Sequence, residues 1–274
     1  MKKVLITFDG MHFSNGAFDF ARYMNECEPI LLTGLFLPEV DYIGLWNYAT
    51  ATAGPFISPV MEREGVEVVH ANIERFEMLC RKNNIDYRIH SDFVDFALPE
   101  LKKETRFADL AIVGSEMFYK NLGTKDPNEY LREALHLAEC PIMLVPEKFD
   151  LPQSNILAYD GSKSSVFAIR QFAYLFPDLA KNSTLLVTAN EEGTKMLPDE
   201  QYIEELAGRH FPDLTLFKLE LDPRKYFATW ISEKKNAILV SGAFTRSSFS
   251  QLFRKSFVSD VIKDHKLPVF IAHR

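Results

Sequence analysis

Residues 4–24, VLITFDGMHFSNGAFDFARYM, and residues 156–176, ILAYDGSKSSVFAIRQFAYLF, are two renderings of one pattern. Asp9-Gly10 lies over Asp160-Gly161, and Phe20-Ala21 over Phe172-Ala173, at an offset of 151 or 152 residues. Two later blocks keep the same order. ADLAIVG, ending at Gly114, lies over AILVSG, ending at Gly242, and CPIMLVPE from Cys140 lies over LPVFIAHR from Leu267. One short match arises easily by chance, whereas three in register point to an internal duplication.

Each copy alternates strand-sized apolar runs with stretches of helical spacing. The first predicts strands near 3–8, 30–36, 85–91, 108–113 and 141–145, and helices near 14–25, 60–83, 95–106 and 128–138. The second predicts strands near 155–159, 183–188, 214–220, 236–241 and 268–272. The strands read as apolar throughout rather than alternating, the pattern of a parallel sheet covered by helices on both faces. Ile73, Phe76, Met78 and Leu79 carry the three-and-four spacing of an amphipathic helix. The fold class is therefore α/β, as two doubly wound, Rossmann-like domains with parallel five-stranded sheets. Residues 146–155, PEKFDLPQSN, read as the linker, which divides the chain into domains at 1–147 and 154–274.

Composition narrows the function. Of the 274 residues, 47% are hydrophobic and 25% charged, which suits a globular chain rather than a disordered one. The apolar runs are far shorter than the ~20 residues of a membrane span, and Asp9 interrupts the N-terminal one, so we expect a cytoplasmic protein without a membrane partner. Net charge is −7, with −9 in residues 1–150 and +2 in residues 151–274. The acidity and the lack of a basic stripe argue against nucleic acid as a partner, and any anion should prefer the second half. Most of the 23 phenylalanines lie within strand or helix patterns and read as core.

Classical reaction motifs are absent from the sequence: no nucleophile elbow, no Walker loop, no H-E-x-x-H zinc pair. The cysteines, Cys27, Cys80 and Cys140, lack metal-ligand spacing and read as buried free thiols; His12 reads as an exposed loop residue after the first strand.

The combination of blocks resembles the universal stress protein family: a first strand ending in Asp-Gly, a fourth strand ending in Gly, a loop leading to a helix, and a last strand opening Cys-Pro or Leu-Pro. The resemblance covers nearly the whole chain and implies the tandem two-domain form, packed as an internal pseudo-dimer in which the last strands, near 141–146 and 268–272, pair. Nucleotide-binding members carry G-x-x-G-x9-G-[ST] after the fourth strand, because glycines let backbone N–H groups approach phosphate and the Ser or Thr opens a helix. Laid on the second half, the pattern falls on Gly242, Thr245, Lys255 and Ser256, so two of four positions match. Arg246 stands beside them, and with Lys255 it could replace lost backbone donors by charge. The aspartate that contacts adenosine corresponds to Asp160, followed by Gly161. In the first half Gly114 and Ser115 match, but Met117 occupies the second glycine position and Gly123-Thr124 reads as a turn, so that motif is degenerate.

The resemblance implies a non-catalytic stress-response protein acting by binding, with ATP or another adenine nucleotide as ligand in the second domain, and no catalytic or metal-binding residue. Two alternatives stay open: a protein-interaction scaffold or homo-oligomer with both nucleotide sites lost, and a weak adenine-nucleotide hydrolase using Asp160 and Ser256. Residues 38–61, rich in aromatic and small residues and much longer than the equivalent loop of the second copy, are a candidate lid or packing surface.

Overall fold

The computed structural model describes residues 1–37, 63–91, 97–120, 129–189, 197–219, 230–231, 234, 236–242 and 266–272. They form a ten-stranded sheet in the order β3-β2-β1-β4-β5-β10-β9-β6-β7-β8. The first half supplies β1 (Lys2–Phe8), β2 (Ile30–Phe36), β3 (Asp86–Ser91), β4 (Leu110–Gly114) and β5 (Ile142–Val145). The second supplies β6 (Ser154–Ala158), β7 (Ser183–Ala189), β8 (Leu214–Leu219), β9 (Ala237–Gly242) and β10 (Val269–Ala272). All neighbours within each half are parallel. β5 and β10 pair antiparallel, Phe270 opposite Met143, so the apolar edge of each set is covered by the other.

Register makes the repeat a matter of geometry. Ile6 pairs with Ile112 as Leu157 pairs with Val240, and Gly114 pairs with Val145 as Gly242 pairs with Ala272. Asp9 and Asp160 therefore stand at equivalent points past the central strand of each half.

The helices are α1 (Asn15–Cys27), α2 (Arg63–Lys82), α3 (Ala97–Arg106), α4 (Glu129–Leu137), α5 (Lys163–Leu175) and α6 (Glu200–His210). α1 and α5 each open on a serine cap: Ser14 Oγ accepts from Ala17 N, and Ser162 Oγ from Ser165 N. Alternation along β1 sends Val4, Ile6 and Phe8 into the core on one face and Leu5 into the core on the other. Each of these cores runs across both halves. On the first face, Phe20 of α1 meets Phe176 (ring centroids 5.8 Å), which meets Phe270 of β10 (5.9 Å).

Three expectations need correction. The outermost strand β3, DYRIHS, is half-buried to exposed along its length rather than apolar, because it has a neighbour on one side only and charged residues there discourage further pairing. Cys27 is exposed at the end of α1, while Cys80 and Cys140 are buried. The segment read as a linker is docked: Phe149 packs on Phe20 (6.1 Å) and Pro152 is buried.

Candidate functional site

In a sheet ordered 3-2-1-4-5, chain connections diverge to opposite sides between β1 and β4, and the crevice beyond their C-terminal ends is where such folds bind ligands. The first half brings Asp9, Leu37 and residues 115–119 to that place; the second brings Asp160, Thr188 and Gly242.

Asp9 is 3% exposed and fully engaged. Oδ1 accepts from Met11 N (3.0 Å) and His12 N (2.7 Å), while Oδ2 accepts from Tyr119 N (2.9 Å) and lies 2.7 Å from His12 Nδ1. His12 is thus not a free loop residue but the partner of a buried carboxylate. Tyr119 sits at φ +52, in the left-handed region that costs a non-glycine residue about 1–2 kcal/mol. Its hydroxyl donates to Leu37 O (2.5 Å), and its ring packs on Tyr130 (4.3 Å) and Phe118 (4.7 Å). The side chain is buried, at 3% exposure, over the ends of β4, β1 and β2.

A second internal partner serves α1. The Glu147 carboxylate, two residues past β5, accepts from Ser14 Oγ (3.0 Å), Asn15 N (3.0 Å), Asn15 Nδ2 (2.5 Å) and Gly16 N (3.4 Å). Helix N-termini favour anions, and here a side chain of the same chain fills that role.

In the second half the aspartate after the first strand has a different setting. Asp160 is half-buried, and among the described residues its hydrogen bond is to Ser162 N (2.9 Å), a local turn. Gly161 has φ +77, and a Cβ there would also lie 2.6 Å from Pro198 Cβ, so glycine is required for the turn. Tyr159 donates its hydroxyl to Pro198 O (2.8 Å); burial, with the nearby charges of Asp199 and Asp160, pushes its phenol up and keeps it a donor. Thr188, 1% exposed near the end of β7, has a buried hydroxyl without a partner among the described residues. Counting from the register, the position equivalent to Glu147 is Arg274 and that equivalent to Tyr119 is Ser247; both lie outside the described residues.

Gly242 has a structural reason of its own. A Cβ on it would lie 2.6 Å from Ser164 C, in the first turn of α5, just as one on Gly114 would lie 2.6 Å from Ser14 Cβ. Both glycines let the first helix approach the fourth strand. Of the other site residues read from sequence, Thr245, Arg246, Lys255 and Ser256 lie outside the described residues, as do Gly123, Thr124 and residues 38–61. Tyr119 and Glu147 were missed by motif reading. No spacing rule flags either, since one is an aromatic in a turn and the other an acid in a polar linker.

A concavity of ≈ 800 Å³ lies elsewhere, between α1, residues 147–151 and the approaches to β9 and β10. Its walls mix Arg22, Lys148 and Lys266 with Asp19, Glu26 and Asp150, which marks no single ligand chemistry. Among the described residues there is no cluster of three or more metal-ligating side chains and no helix long and apolar enough to cross a membrane.

No family model matches the chain, and no curated relative does. A universal stress protein from Archaeoglobus fulgidus matches over 100% of this chain and 96% of its own, with TM-score 0.69 and 14% identity. The chain therefore has the α/β, Rossmann-like fold of that universal stress protein over its whole length. A universal stress protein in complex with cAMP matches over 45% of this chain and 98% of its own, with 19% identity and TM-score 0.34, which is too low to carry an argument.

Proposed function

We propose that the protein is a non-catalytic, cytoplasmic stress-response protein of the universal stress protein type, with domains at 1–147 and 154–274, acting by binding. An adenine nucleotide is held by the second domain only. The observation that carries this reading is the contrast, among the described residues, between two equivalent aspartates: Asp9 accepts from four groups of its own chain, and Asp160 from one. On this reading Asp160 keeps acceptor capacity for a ribose hydroxyl, and Thr188, near the end of β7, has a buried hydroxyl with no partner among the described residues. Charge agrees, at −9 for residues 1–150 and +2 for residues 151–274, and the sequence between Gly242 and Ser256 carries Arg246 and Lys255, whose charge suits phosphate.

One observation favours the scaffold reading instead. Gly242 is accounted for by the contact of β9 with α5, so its presence does not by itself argue for a phosphate cradle. The deciding experiment is calorimetric titration of the full chain with ATP, ADP and AMP at low salt, alongside analysis of nucleotide carried through purification. We expect one equivalent, bound more weakly as salt rises and lost in Asp160→Ala and in Arg246→Ala with Lys255→Ala. Lack of affinity for any of the three leaves the scaffold reading, and sustained phosphate release, lost in Ser256→Ala, makes the protein a hydrolase.

A further inference from the structure

We infer that Tyr119 is an internal ligand of the first half: its ring occupies the crevice over β4, β1 and β2 and closes it. This deepens the proposed function and rests on its premise that the crevice between first and fourth strands is where this chain binds. The missing glycines of the first half are then not the cause of its closure. The tyrosine makes the contacts expected of a bound planar ring. Its ring packs tilted against Tyr130, its hydroxyl donates to the Leu37 carbonyl, and its backbone N–H donates to the buried carboxylate of Asp9. It does so from a left-handed backbone that a tyrosine seldom adopts, and 115–120 is a turn between β4 and the next segment rather than part of a packed helix or strand. The ring lies among Leu37, Phe118 and Leu131, and what sets it apart from a core tyrosine such as Tyr159 is the strained backbone from which it reaches them. The chemistry of the pocket defines what could replace it: a planar aromatic heterocycle with an N–H donor at its edge, small enough to leave Leu37 and Asp9 in place. In the second half, the equivalent count falls on Ser247, which has no ring.

Closure of this kind is a competition. An external ring binds with its intrinsic affinity reduced by the fraction of molecules in which Tyr119 has swung out. Tyr119→Gly deletes the plug, and glycine suits φ +52, so the backbone has no reason to unfold. Tyr119→Phe keeps the ring and deletes only the bond to Leu37, which should raise the open fraction about tenfold. The test is calorimetry of the wild-type full chain and both variants with adenosine, and separately with p-cresol, the excised side chain. Tyr119→Gly should bind one equivalent of adenosine more than wild type, with p-cresol competing for that equivalent alone. Tyr119→Phe should show the same added site at about tenfold lower adenosine than wild type does. A Tyr119→Gly protein that folds but takes no added adenosine, whether or not it takes p-cresol, makes Tyr119 an ordinary core residue and overturns the inference. If Tyr119→Gly does not fold, Tyr119→Phe decides, and titration like wild type overturns it. The counts also separate the two readings: none in wild type and one in Tyr119→Gly sinks the second-domain site but not the plug, and one in each does the reverse.

Discussion

Replacing each aspartate by alanine measures the contrast on which the functional reading depends. Asp9→Ala removes the acceptor for three backbone N–H groups and the His12 ring, at a side chain only 3% exposed. Hydrogen bonds to a charged group contribute roughly 1.5–3 kcal/mol each, and a buried donor left without a partner costs about 1–3 kcal/mol. Met11 and His12 can recover water, being part-buried; Tyr119 N cannot, and its strained backbone loses its anchor. The loss should therefore be about 3–5 kcal/mol, at the upper end for a single substitution. Among the described residues Asp160→Ala forfeits one local bond to Ser162 N, about 1–1.5 kcal/mol, at or below the low end of that range because solvent reaches this half-buried turn. Urea unfolding followed by circular dichroism, with thermal midpoints as a check, gives both numbers; Asp9→Ala should melt about 10 °C below wild type. Equal losses, or a greater loss for Asp160→Ala, would mean that the two carboxylates are equally committed to structure, and the argument that only Asp160 has capacity for a ligand would fail.

Other outcomes follow from the same geometry. Gly242→Ala should destabilise by about 1–3 kcal/mol, since its Cβ meets the backbone of α5, whereas Gly208→Ala, with nothing near it inside α6, should stabilise by about 0.5–1 kcal/mol in the same urea experiment. Glu147→Ala should cost about 1–2 kcal/mol by uncapping α1, and Glu147→Gln should restore part of it; no loss in either would show the cap to be dispensable. At pH 8 a thiol reagent should titrate Cys27 alone in the native protein and all three cysteines after unfolding. Burial pushes the Cys80 and Cys140 thiols up to about 12 from an ordinary 9.0. These thiols ionise first in the unfolded chain, so stability should be level in this respect below pH 9, fall as pH rises from 9, and level off above about 12. A flat urea midpoint across that window in wild type, matching Cys80→Ala with Cys140→Ala, would remove the linkage.

The repeat, the alternation of strands and helices, and the placement of Asp9 and Asp160 were legible in the residues themselves. Apolar runs bounded by Asp-Gly turns and helical spacing are local signals, and local signals survive duplication. The antiparallel meeting of β5 with β10 was legible only through a family resemblance, because nothing in IMLV or VFIA states which edge covers which. Tertiary structure alone decided how Asp9 is engaged. Asp9 is saturated because Tyr119, 110 residues away, is folded onto it, and α1 is capped because Glu147, more than 130 residues beyond Ser14, reaches back to it. Partners so distant leave no periodicity or spacing in the sequence. A carboxylate's availability depends on which donors the completed fold brings within about 3 Å of it, and that is a property of the assembled sheet rather than of any stretch of chain.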